Sequence, residues 1–172
     1  MEEQVILVDE QDREIGSMEK LAAHRDGGTR HRAFSVFLLD EQGRWLLQKR
    51  AAGKYHFPNL WTNACCSHPR PGESTEDAVQ RRLREELGIT CPVRERFHFT
   101  YRATSEAEGL TEWEIDHVFT GLFSGDLQPN PDEIASLRWI EPEDLAREIR
   151  EQPETFTPWF KLAWERVRAE LD

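Results

Sequence analysis

The sequence predicts a single α/β domain of the α+β kind, with short strands over most of its length and helices concentrated toward its end. Three observations carry that prediction. Runs rich in β-branched and aromatic residues recur between turn signals, helical spacing of apolar residues appears in three segments, and no repeat, low-complexity tract or long linker divides the chain. With 172 residues, 38% of them hydrophobic and 10% aromatic, a chain of this size buries roughly 70% of its extended surface and needs no disulfide to hold a core.

Val5 to Val8 is the first β-rich run. Ala33 to Leu39 and Trp45 to Gln48 flank Asp40-Glu-Gln-Gly43, which places Asp and Gly where a type I turn favours them, so the spacing predicts a hairpin. Arg94 to Arg102, Glu112 to Phe123 and Leu137 to Ile140 are further strand candidates, and Pro142 to Ile149 and Pro158 to Leu171 read as helices. The clearest helix begins after Ser74, with Asp77 three residues on in the manner of a capping box, and ends at Gly88. Val79, Leu83 and Leu87 form its apolar stripe. Glu86 falls about 20° from Val79 on the helical wheel, inside that stripe, while Glu85 points outward. A carboxylate there is costly unless it is paired, as with Arg82 one turn earlier, or bound to a metal.

Lys plus Arg total 22 against 33 Asp plus Glu, a net charge of −11. Such a field repels nucleic-acid backbones and anionic lipid. The acidic start, Met1 to Glu10, lacks the basic segment and apolar run of a secretory signal. No apolar run approaches the roughly 20 residues that span a bilayer. Three cysteines, two of them adjacent, suit a reducing compartment. The expectation is a cytoplasmic protein with neither nucleic-acid nor membrane partners.

Several side chains have the chemistry of a site. His24, His31 and His68, with Glu112 and Glu114 on one face of a predicted strand, offer nitrogen and oxygen ligands for a divalent metal, though spacing alone does not bring them together. Cys66 is a buried hydrophobe or a catalytic thiol that, at an ordinary pKa of about 8.5, also serves as a proton donor. Lys20, Arg50 and Lys54 are solvated charges or an anion site. Trp61 is core filler or a π face for a cation. A zinc-binding interaction module on Cys65, Cys66 and His68 is a further reading, without the paired C-x-x-C spacing that marks such sites.

Read from Ser67, the stretch through Glu73 and Arg81-Arg-Leu-Arg-Glu-Glu-Leu-Gly-Ile89 resembles a Nudix box, departing from it at Ser67 for Gly and at Arg82 for Glu. A Nudix-type diphosphate hydrolase is therefore one reading. The segments Glu19 to His24, Arg30 to Phe34, Trp61 to Pro69, Tyr101 to Thr104, Glu112 to Glu114 and Thr157 to Trp159 together resemble the type I isopentenyl-diphosphate isomerases, over about Val5 to Trp164. That resemblance implies a Nudix-like mixed β-sheet sandwiched between helices, with residues 1–172 forming one domain. It implies interconversion of isopentenyl and dimethylallyl diphosphate by proton addition and removal through a tertiary carbocation, without flavin or nicotinamide. It assigns proton handling to Cys66 and Glu114, a hydrogen bond near that glutamate to Tyr101, and the face toward the cation to Trp61. It assigns a metal site, for Mn²⁺, Mg²⁺ or Zn²⁺, to His24, His31, His68, Glu112 and Glu114. Glu86 would bind the Mg²⁺ carried by the diphosphate, and Lys20, Arg50, Lys54 and Arg82 would contact the diphosphate itself. A monomer or weak homodimer is expected.

Overall fold

The computed structural model describes residues 3–171. Its central strand, β3 (His31–Leu39), is buried at every position except Arg32 and Leu39. A strand with both faces buried needs cover on both sides of the sheet. Strand β8 (Leu110–Leu122) runs parallel to it over its whole length, His31 opposite Glu114 and Leu39 opposite Leu122. β7 (Arg94–Ser105) pairs antiparallel with β8 and places Tyr101 opposite Glu114. The other edge of β3 is met in succession by β1 (Gln4–Val8), by the short β6 (Cys65–Ser67) and by β4 (Trp45–Arg50). β2 (Glu14–Glu19) borders β1, while β9 (Ile134–Ile140) and β5 (Trp61–Thr62) border β4.

The turn at 40–43 forms as predicted, with Asp40 Oδ1 accepting the backbone N–H groups of Gln42 and Arg44 at 3.0 and 2.8 Å. The hairpin around it does not. β3 and β4 pair only at Leu39 and Trp45, because β6 occupies the β3 edge that the hairpin would use and β4 pairs with β9 instead.

Helix α1 (Lys20–Ala23) is a single turn capped by the Glu19 carboxylate. It and the largely exposed, polar β2 give no periodic signal, and the sequence reading passes over both. In α2 (Thr75–Leu87), Ser74 Oγ accepts the Asp77 N–H at 3.1 Å, and Gly88 closes the helix at φ 69°, a conformation that costs glycine little. Its Val79, Leu83 and Leu87 pack on Phe34, Val36, Leu38 and Phe119. α3 (Pro142–Glu151) and α4 (Pro158–Leu171) cover the opposite face, where Leu145, Phe160, Ala163 and Val167 meet Phe37, Leu47 and Val118. The mixed sheet thus lies between helices, as expected. No helix among the described residues is long and apolar enough to cross a membrane.

Candidate active site

The parallel pairing of β3 with β8 decides where the acids go. Alternation turns Glu112, Glu114 and Asp116 inward, all buried, with Glu114 beside His31 and Tyr101 on its two neighbouring strands. The Thr111 N–H donates to the His24 carbonyl at 2.8 Å, which draws the end of α1 to Glu112. His68 follows β6 and is held by the Nudix-like helix: Arg81 donates to the His68 carbonyl at 3.3 Å and grips Glu73 through two bonds of 2.8 and 2.9 Å.

These placements bring His24, His31, His68, Glu112 and Glu114 together, all buried, with one ligand atom from each lying within 4.8 Å of every other. Two of the histidines, His24 and His31, are oriented as ligands. Nδ1 of His24 and of His31 each donates to a backbone carbonyl, of Lys20 and Thr29, at 2.7 Å, leaving each Nε2 with a lone pair. Those lone pairs face carboxylate oxygens, His24 toward Glu112 Oε2 at 3.3 Å and His31 toward Glu114 Oε2 at 3.0 Å. His24 Nε2 and Glu112 Oε2 are buried without a hydrogen-bond partner. Acceptor facing acceptor in a dry site is relieved only by a cation between them or by a proton. The five residues therefore fit a divalent ion.

Electrostatics agree. For His24, burial opposes the charge, but Glu112 outweighs it and lifts the pKa to about 9. Burial also pulls the Glu114 carboxyl upward, yet its contacts with Glu112, His31 and Tyr101 hold it down at about 2, so it is ionised. The Tyr101 hydroxyl donates to Glu114 Oε1. Burial, reinforced by nearby Asp116, pushes the Cys66 thiol up to about 12, so it keeps its proton.

One pocket joins these groups to the basic residues. Lys20, Arg50, Lys54 and Arg82 all line it, together with Cys66, Tyr101, Glu112, Glu114 and His68. Strand alternation separates the two vicinal cysteines. Cys66 faces the pocket and donates to Asn63 Oδ1 at 3.1 Å, while Cys65 belongs to the core beneath α2 and donates to Glu86. Cys65, Cys66 and His68 thus do not converge as a zinc module requires. Glu86 lies behind the pocket wall: Oε1 accepts from Gln48 at 3.3 Å, and Oε2 meets Cys65 at 3.1 Å and Arg82 at 3.2 Å.

Trp61 is a correction. It sits on β5 against the α3–α4 core, with the Arg138 guanidinium 4.5 Å from its ring centre, and it is not on the pocket wall. The indole that lines the pocket is Trp159, in the first turn of α4, packed with Phe57 and Tyr101 and donating from Nε1 to Cys66 Sγ at 3.1 Å. The sequence reading placed Trp159 in the helix Pro158 to Leu171 and in the Thr157 to Trp159 segment of the resemblance, and gave it no role. Tyr55, His56 and Asn63 were also missed. They lie in or next to loops, and only the Trp61 to Pro69 motif touched one of them.

A NUDIX domain model matches residues 29–160. The chain is 48% identical over 97% of its length to "Isopentenyl-diphosphate Delta-isomerase 2" of Aromatoleum aromaticum, covering 87% of that protein. It is 49% identical to an isopentenyl-diphosphate Delta-isomerase of Serratia proteamaculans, over 93% of this chain and 88% of that one. The chain belongs to the isopentenyl-diphosphate Delta-isomerase family, within the Nudix fold. A solved Deinococcus radiodurans structure superposes with a TM-score of 0.71 at 26% identity, over 87% of this chain and 90% of that one. A MutT protein from Methanosarcina mazei superposes at 0.67 and 21% identity, over 83% and 96%, which bears on the fold alone.

Proposed function

We propose that this pocket interconverts isopentenyl and dimethylallyl diphosphate by placing a proton on one carbon and removing one from another, through a tertiary carbocation. One observation carries the reading: the Cys66 thiol and the Glu114 carboxylate line the same pocket as four basic side chains, with burial favouring the protonated thiol and the contacts of Glu114 favouring its ionised form. The pair holds one proton between them, as a reversible transfer between carbons requires. One direction of the reaction starts from the Cys66 thiol and Glu114 carboxylate, and the reverse starts from the thiolate and the carboxylic acid.

Lys20, Arg50, Lys54 and Arg82 bind the diphosphate and orient the five-carbon chain toward that pair. They supply locally the positive charge that an acidic protein otherwise lacks. Asn63 and the Trp159 indole N–H fix the thiol from two sides. The Trp159 ring, with Phe57 and Tyr101, keeps water from a cation it would otherwise capture, and its π face stabilises the charge without reacting. Tyr101 orients Glu114. His24, His31, His68, Glu112 and Glu114 would hold a divalent ion, Mn²⁺, Mg²⁺ or Zn²⁺, which neutralises the two buried carboxylates and tunes the proton affinity of Glu114. Glu86, paired with the pocket-lining Arg82, would hold the Mg²⁺ carried by the diphosphate. A hydrolase reading finds Arg82 in place of a box carboxylate.

Proton NMR of isopentenyl diphosphate with the protein and Mg²⁺ in D₂O tests this. Conversion to the dimethylallyl isomer with deuterium uptake is the expected result. Release of phosphate without isomer would refute the proposal.

A further inference from the structure

His56 lies outside the five-residue cluster yet reaches into it. It sits at 4% exposure in the loop joining β4 to β5, and its Nε2 contacts Glu112 Oε1, the oxygen that does not face His24. A carboxylate only accepts, so the nitrogen at that contact carries the hydrogen. Nδ1 of His56 has no partner. Glu112 is thereby divided, one oxygen held by His56 and the other free and turned toward His24 Nε2.

The ring is fixed from several directions. It stacks on Tyr55 at 4.1 Å between centroids and meets His24 edge-on at 5.1 Å. Arg50 donates to the His56 and Phe57 carbonyls at 3.2 and 3.1 Å, and holds a loop in which Phe57 adopts a φ of 47°. A donor immobilised in this way has one evident task, to keep a neighbouring carboxylate in a single rotamer.

We propose that His56 is the positioning residue of the metal site, its Nε2–H clamping Glu112 Oε1 so that Oε2 presents a lone pair to the ion. This rests on the metal reading of the cluster. Hydrogen bonds of this kind to a ligating carboxylate typically account for 10- to 100-fold in metal affinity. Arg50 also ties the clamp to the diphosphate site, because the side chain that lines that pocket anchors the His56 main chain.

The test is metal affinity of the full chain without substrate, stripped and titrated with Mn²⁺, or with Zn²⁺ against a chromophoric chelator. His56→Gln retains an N–H donor. His56→Phe retains a ring against Tyr55 without a donor, and His56→Ala is made beside it so that either serves if the other misfolds. The expected result is roughly 10- to 100-fold weaker binding in the Phe and Ala variants and near wild-type binding in the Gln variant. Wild-type affinity in a folded Phe or Ala variant would overturn the inference alone, as would a Gln variant as weak as they are. A wild-type chain that binds neither ion would overturn the metal reading together with it.

Discussion

Replacing Trp159 separates two contributions that meet in one side chain. Its indole N–H donates to the Cys66 sulfur at 3.1 Å, and its ring lines the pocket beside Phe57 and Tyr101. Trp159→Phe removes the hydrogen bond, worth about 1 kcal/mol, and keeps a π face, so turnover should fall roughly fivefold. Trp159→Leu removes both, adding about 1–2 kcal/mol for the lost cation–π contact, and should lower turnover roughly 30- to 150-fold. Trp61→Leu is the control, since that ring packs on the core and carries Arg138. It should cost a few kcal/mol of stability with turnover per folded molecule within about twofold. Turnover is read by NMR after folding is checked by circular dichroism. An ammonium analogue, whose fixed charge stands in for the tertiary carbocation, should bind wild type best, the Phe variant less and the Leu variant least. Equal analogue affinity in all three would refute the cation-stabilising role, and a loss with Trp61→Leu as large as with Trp159→Leu would refute the choice of tryptophan.

Cys66→Ala should abolish isomerisation with diphosphate binding retained, whereas Cys65→Ala should keep most turnover and lower the melting temperature, because only Cys66 faces the pocket; equal activity of the two variants in the NMR assay would oppose the assignment. Glu86→Gln should remove the Mg²⁺-dependent part of inorganic pyrophosphate affinity in calorimetry; loss of thermal stability alone would make Glu86 a structural partner of Arg82. In metal-stripped protein His24 is raised from 6.5 to about 9, so the stability it adds is fully present below about pH 6.5 and lost as pH rises through about 9. Melting scans across that range should show this decline, and a divalent ion should abolish it by replacing the proton on Nε2; parallel curves with and without the ion would contradict the linkage.

How much of this could be read from the sequence depends on whether a feature is local. The start and stop of α2 were legible because Ser74 and Gly88 act within a turn of the helix they bound. The shared face of Glu112 and Glu114 followed from strand alternation, whereas the preference for Cys66 over Cys65 came only from the isomerase resemblance. The pairing of β4 was not legible, since the Asp40 turn announces a hairpin while the insertion of β6 from more than twenty residues away cancels it. The role of Trp159 was not legible for a similar reason. Helical spacing shows which residues share a face, and Trp159 does lie on the buried face of α4. It does not show that at this first turn the face looks across a pocket at Cys66 rather than into the core. His56 carried no signal at all, as a single histidine in a loop whose position is set by Arg50.

The two departures from the Nudix box find their reasons in the same geometry. Ser67, where the box has glycine, closes β6 and lines the pocket. Arg82, where the box has glutamate, places a cation on α2 at a position the box reserves for a carboxylate, paired with Glu86 at 3.2 Å and Glu133 at 3.4 Å. A hydrolase would use the box glutamates to cleave a phosphoanhydride, and here one of those positions carries an arginine that, under the proposed function, faces an intact diphosphate. The acids that the proposed chemistry uses come instead from β8, which pairs with β3 and turns Glu112 and Glu114 into the pocket. The fold is unchanged. Under the proposed function, what moves the reaction from phosphorus to carbon is a reversal of charge at one helix position together with a thiol on β6.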